Sequence, residues 1–174
     1  MELRKFIATT IREYLKEEQN FNVNIPNTVY HASNEIFDKF DISKITNIRG
    51  DLYGGGFYFT DNYEYAKDFG SILYECNIKL QNPIDLTNSE KVKQQLLRLL
   101  NDINNITKYD DNYIRDSIKH KNFTSAFMKL RKYLSFKDLK KYFDGVIGYS
   151  EKGGKEYVVY DPTNIKILNV TNLK

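Results

Sequence analysis

At 174 residues the sequence has the length of one domain, one that buries roughly two-thirds of the surface its unfolded chain exposes. With 41% hydrophobic and 28% charged residues it has the make-up of a globular soluble chain, and a net charge of +3 is too small to imply nucleic-acid binding by the molecule as a whole, so any basic binding face must be local. A lone Cys76, read as a core residue, excludes an internal disulfide framework and a multi-Cys zinc site, and no run approaches the ~18 uninterrupted apolar residues of a membrane span.

The expected compartment is the cytoplasm, since Met1-Glu2-Leu3-Arg4-Lys5 lacks the apolar core of a signal peptide; delivery into a host cell by a leaderless route stays open. The wealth of Asn, Lys, Ile, Tyr and Phe points to an AT-rich genome, bacterial or phage.

In chain order, Leu3, Phe6, Ile7, Ile11, Tyr14 and Leu15 form an apolar stripe at i, i+3, i+4 spacing, which predicts an N-terminal helix. Val29-Tyr30-His31 reads as a short strand and residues 34–40 as a helical turn. Gly54-Gly55-Gly56 breaks regular structure ahead of a strand over Phe57–Thr60, and Asp61 is the expected cap of a helix that runs through Ala66 and Phe69 to Gly70. Ile72–Leu80 is read as a strand ending before Pro83.

From about 89 to 142 the pattern turns helical, with one stripe of Val92, Leu96, Leu97, Leu100 and Ile103, another of Phe123, Phe127, Leu130 and Leu134, and a helix near Tyr113–Ile118 between them. Strands return at Asp144–Tyr149, Glu156–Tyr160 and Ile165–Val170, the first two joined through Gly153-Gly154. Strands on either side of a helical block, without regular βαβ alternation, predict a single α+β domain over 1–174, the block at about 89–142 being an insertion.

Four features suit chemistry: His31 at a strand end, Tyr58 behind the glycine run, Phe69 at a helix end, and Glu156 opening an apolar strand. Each has an ordinary structural reading beside the functional one. A solitary His with apolar neighbours is usually a hydrogen-bonded structural residue, aromatics between apolar residues usually pack inside, and a hairpin carboxylate is usually solvated. The glycines match neither a P-loop nor the dinucleotide fingerprint, and His120 lies in a Lys-rich stretch without a partner. Two His, one Cys and scattered carboxylates lack metal-ligand spacing, so no metal is expected.

Together the features resemble the H-Y-E, diphtheria-toxin and PARP-like, branch of the ADP-ribosyltransferases. Tyr30-His31-Ala32-Ser33 is similar to its His-Gly-Ser/Thr element, Gly56-Phe57-Tyr58-Phe59 to its Gly-x-Tyr-Phe element, and Lys155-Glu156-Tyr157-Val158-Val159-Tyr160-Asp161 to its Glu-Tyr-x-Val-Tyr strand, in the same order. The resemblance covers about 28–80 and 143–170, and in length and in the Asp-Pro after the last of these segments it is closest to small bacterial and phage members, such as domains of phage polyvalent proteins. Ala32 stands where the family usually has Gly, Ala66 where PARP-like members have a Ser that binds the nicotinamide amide, and Gly154 where arginine-modifying relatives have Gln or Glu.

What the resemblance implies is a split β-sandwich around a cleft for NAD⁺, used as substrate without a metal. In it Tyr58 and Phe69 would sandwich the nicotinamide and the Ala32 backbone would hold its carboxamide. His31, helped by Ser33, would bond the adenosine-side ribose, and Glu156 would bond the nicotinamide ribose and steady its developing charge, making Glu156, His31 and Tyr58 the catalytic set. The implied activity is mono-ADP-ribosylation of a macromolecule, a host protein being the expected partner, by a toxin, phage factor or anti-defence factor. Two alternatives accompany it: an NAD⁺ glycohydrolase, with water as acceptor, and a non-catalytic protein- or nucleic-acid-binding module. The second alternative rests on the basic segment 119–141, where Lys119, Lys121, Lys129, Arg131, Lys132, Lys137, Lys140 and Lys141 face a single acid, Asp138, and could meet nucleic acid or an acidic surface; solvated helix faces are the preferred reading.

Overall fold

A computed structural model describes residues 24–45 and 52–173, so the predicted N-terminal helix lies outside the described residues. The strands are β1 (Val29–Ser33), β2 (Phe57–Thr60), β3 (Ile72–Ile78), β4 (Ile84–Asp85), β5 (Gly145–Tyr149), β6 (Lys155–Val159) and β7 (Ile165–Asn172). The α-helices are α1 (Tyr63–Ala66), α2 (Ser89–Asp102), α3 (Lys108–Lys119), α4 (Phe123–Leu130) and α5 (Phe136–Tyr142).

All seven strands join one mixed sheet in the order β4-β5-β6-β2-β1-β3-β7. Every pairing is antiparallel except β4 with β5, where the chain returns through α2–α5 to lie parallel to the strand it left. The predicted insertion is therefore a crossover, and the two-residue β4 at its start is too short to show a period in sequence.

β6 has apolar neighbours on both faces, as its unbroken Tyr157-Val158-Val159-Tyr160 run requires. Val158 and Tyr160 join Val146, Leu96, Leu99, Phe127 and Leu130 in a core under the helices. Tyr157 and Val159 point the other way, into a core with Phe57, Phe59, Tyr74 and Cys76. Cys76 is fully buried, which pushes its thiol pKa up to about 12 and makes it an inert packing residue. In α2 the buried stripe includes Leu99, whereas Leu97 is only partly covered, a small rotation from the predicted face.

Three local expectations are corrected. Residues 34–40 form no helix, because Tyr74 makes tertiary bonds there instead: its hydroxyl accepts from Phe37 N–H at 2.8 Å and donates to the Glu35 carbonyl at 2.9 Å, with its ring stacked on Phe37 at 4.2 Å. The cap of α1 is Asn62, whose side chain accepts from Tyr65 N–H at 3.0 Å. Asp61 is engaged elsewhere, its carboxylate accepting from Lys155 N–H at 2.8 Å across the sheet. The helix itself stops at Ala66 and tightens into a 3₁₀ turn over Lys67–Phe69. Gly153 and Gly154 both have φ of +83°, the left-handed backbone that the hairpin between β5 and β6 needs.

Candidate active site

The seam between β1 and β2 has a single register pair, Tyr30 with Thr60, whereas β2 pairs with β6 at four positions and β1 with β3 at five. Beyond that pair the two strands are linked by a side chain. His31 Nδ1 lies 2.8 Å from the Tyr58 carbonyl, and since a carbonyl can only accept, the proton sits on Nδ1 and Nε2 is left as an acceptor in the neutral ring. Burial lowers the His31 pKa, against the smaller opposing effect of this bond, and so favours that neutral form. The rings of Phe40 and Phe59, with centroids 5.1 and 5.6 Å away, hold the imidazole.

A cavity of about 530 Å³ opens along the seam, in the size range of small-molecule sites. His31 and Ala32 reach it from β1, Tyr58 from β2, Phe69 from the turn after α1, and Glu156 from β6. Five predicted site residues, distant in sequence, therefore share one concavity. Ser33 does not line it: its hydroxyl accepts from Glu35 N–H at 3.1 Å and serves the turn that follows β1.

Each lining side chain is fixed by its own surroundings. The Tyr58 hydroxyl donates to the Gly54 carbonyl at 2.8 Å and accepts from Tyr53 N–H at 3.1 Å, so the phenol anchors the glycine-rich loop while its ring borders the cavity. Glu156 is paired with Thr60 on one side and Gly148 on the other, which holds its backbone in a central strand. Its carboxylate is half-buried and its pKa is raised, first by desolvation, with Glu151 adding to the rise and a hydrogen bond from Tyr65 opposing it. Phe69 remains 56% exposed, leaving an aromatic ring at the mouth for a ligand to cover.

Sequence reasoning missed Tyr65 and Glu151, which also line the cavity. Tyr65 carried a signal, standing four residues before Phe69 and hence on the same helical face. Glu151 carried none, because its proximity depends on how the β5–β6 hairpin folds back. Ala66 lines the cavity with a methyl group and can donate no hydroxyl there.

The basic segment is partly neutralised within the fold. Lys129 pairs with Asp110 at 2.9 Å and Lys141 with Asp138 at 2.7 Å, while the Arg131 side chain lies against the glycine-rich loop at Gly54. Among the described residues no group of three or more His, Cys, Asp or Glu could hold a metal ion, and no helix is long and apolar enough to cross a membrane.

The model of a family described as "ADP-Ribosyltransferase in polyvalent proteins" matches residues 25–172. Among solved structures, one described as "Crystal structure of an anti-CRISPR protein" is similar with a TM-score of 0.45 and 16% identity, over 81% of this chain and 94% of that chain. No curated protein matches.

Proposed function

The chain belongs to the ADP-ribosyltransferases of polyvalent proteins, a family that uses NAD⁺, and we propose that it cleaves NAD⁺ at the nicotinamide–ribose bond and transfers ADP-ribose to a macromolecular target. The observation that carries this reading is the convergence of one half-buried carboxylate, Glu156, with the rings of Tyr58 and Phe69 and the imidazole of His31 around one cavity at a nearly unpaired seam. That seam also supports describing the sheet as the split sandwich of the family, with β4-β5-β6-β2 on one side and β1-β3-β7 on the other.

Nicotinamide is bound in NAD⁺ as a pyridinium, so the electron pair of the breaking C–N bond neutralises the ring and no general acid is needed at the leaving group. The sugar becomes cationic as the bond lengthens. A fixed carboxylate in a partly desolvated site stabilises that charge more than it stabilises the substrate. In this reading Glu156 bonds the 2′-hydroxyl of the nicotinamide ribose, Tyr58 and Phe69 enclose the cationic ring, and the Ala32 backbone holds the carboxamide. His31 Nε2, left as an acceptor, takes a hydroxyl of the adenosine-side ribose. The acceptor nucleophile then bonds to C1′ and releases its proton to solvent.

We take the target to be a host protein, with the chain acting as a phage or bacterial effector. Incubation with NAD⁺ and a host lysate, followed by intact-mass analysis, tests this by the appearance of an ADP-ribose adduct, while nicotinamide release without lysate measures transfer to water. Release that no lysate accelerates, with no adduct, would make the protein a glycohydrolase.

His31→Ala and Tyr58→Ala are each expected to raise the Kd for NAD⁺ about tenfold or more, as well as slowing turnover, since each loses a ligand contact and loosens the seam. Calorimetric titration of variants with native circular dichroism checks this. Wild-type affinity in both would return these side chains to purely structural roles.

A further inference from the structure

One buried side chain lies between the two halves of the proposed chemistry. Tyr65, only 8% exposed, donates its hydroxyl to Glu156 Oε1 at 3.3 Å and sets its ring edge-on to Phe69, with centroids 4.9 Å apart and planes at 88°. We propose that Tyr65 is the positioning residue of this site, holding the Glu156 carboxylate in one rotamer and the Phe69 ring in register with it. The inference rests on the NAD⁺ reading above and adds a residue to it.

The helix that carries Tyr65 is short and would fray alone, so its placement has to come from elsewhere. Asn62 caps it through Tyr65 N–H, and Asn62 Nδ2 reaches the Gly153 carbonyl of the β5–β6 hairpin at 3.4 Å. Asp68 forms an ion pair with Lys152 of the same hairpin. At the far end Gly70 meets β1 so closely that a Cβ there would collide with the Ser33 main chain. With α1 tied to the hairpin on one side and to β1 on the other, the Tyr65 hydroxyl comes to Glu156 from a fixed point.

That contact decides how the carboxylate is used. A glutamate side chain has three torsions, and a carboxylate that points away from the ribose contributes nothing to the sugar cation. Engaging Oε1 leaves Oε2 for the substrate. Among the described residues, the charged and titratable groups that face Glu156 are Tyr65 from α1, Glu151 from the hairpin and Tyr53 from the loop before β2. Desolvation, with a smaller effect of Glu151, favours the protonated acid, and the Tyr65 hydrogen bond favours the ionised form. Losing it raises the Glu156 pKa further.

The test compares wild type, Tyr65→Phe, Tyr65→Ala and Glu156→Gln. Tyr65→Phe keeps the ring against Phe69 and removes only the hydroxyl, so the Kd for NAD⁺ should stay within about twofold while kcat for nicotinamide release falls about tenfold. The acidic limb of its pH–rate profile moves to higher pH, and so does the titration of the Glu156 side-chain carboxyl, followed by ¹³C NMR without NAD⁺. Tyr65→Ala, which also frees Phe69, should weaken NAD⁺ binding as well. A carboxyl titration and kcat unchanged in Tyr65→Phe, with Glu156→Gln still inactive, overturn the assignment alone. Equal nicotinamide release by wild type and Glu156→Gln overturns the NAD⁺ reading and this assignment with it.

Discussion

Glu156→Gln is expected to lower the rate of nicotinamide release by on the order of 10²–10³ while leaving the Kd for NAD⁺ nearly unchanged. Glutamine has the same shape and keeps an oxygen that can accept from a ribose hydroxyl, so ground-state binding is retained. What it loses is the negative charge, and only the transition state, with its cationic sugar, has need of that. The pH dependence gives a second readout. Burial raises the Glu156 pKa above its ordinary range, so wild-type turnover should fall as the solution is acidified through that raised value, where the carboxylate takes up a proton. The glutamine variant has nothing to protonate and should show no such limb. Single-turnover assays across pH on both proteins measure it. A glutamine variant that turns over like wild type would remove Glu156 from the chemistry.

Much of the candidate site was legible because residues that are ordinary one by one fall together in the order of one family's motifs. A carboxylate opening a strand as apolar as Tyr157–Tyr160 and an imidazole beside Val29 each have a structural reading alone, and a family resemblance in the right order supplied the functional one. The strands that were read correctly share a long apolar run or a glycine boundary, and the insertion was legible from its helical stripes. What stayed hidden depends on tertiary contacts. The cap of α1 moved from Asp61 to Asn62 because Asp61 is taken by Lys155 N–H, 94 residues away. Residues 34–40 lost their turn of helix to the Tyr74 hydroxyl, and Ser33 turned from the cavity to a local bond. Tyr53 is the clearest case: as one aromatic beside a glycine run it looks unremarkable, yet it is 1% exposed and its main chain holds the Tyr58 hydroxyl.

The place of Tyr53 leads to the other large effect, which comes from a position with no side chain. Gly148→Ala is expected to destabilise the protein by about 2–3 kcal/mol and to lower Tm by about 4–12 °C, although alanine is the smallest possible addition and β5 has no need of a special φ there. The cause is close approach: a Cβ on Gly148 would fall inside the van der Waals envelope of the Tyr53 ring at Cζ and its hydroxyl. That ring end cannot swing aside. Its hydroxyl donates to the Tyr149 carbonyl at 3.1 Å and the ring belongs to the core beneath α4 with Phe127 and Leu130, so displacing it breaks a bond to the sheet and disturbs packing against the insertion. The strain should travel to the site, because Tyr53 N–H is bonded to the Tyr58 hydroxyl, and NAD⁺ affinity should fall together with stability. A double-mutant cycle isolates the mechanism. In a Tyr53→Leu background, where the shorter side chain vacates the collision point, Gly148→Ala should cost less than it does alone, with a coupling energy of about 1 kcal/mol or more. Strictly additive costs in thermal melts would mean that Gly148 is glycine for some reason other than Tyr53.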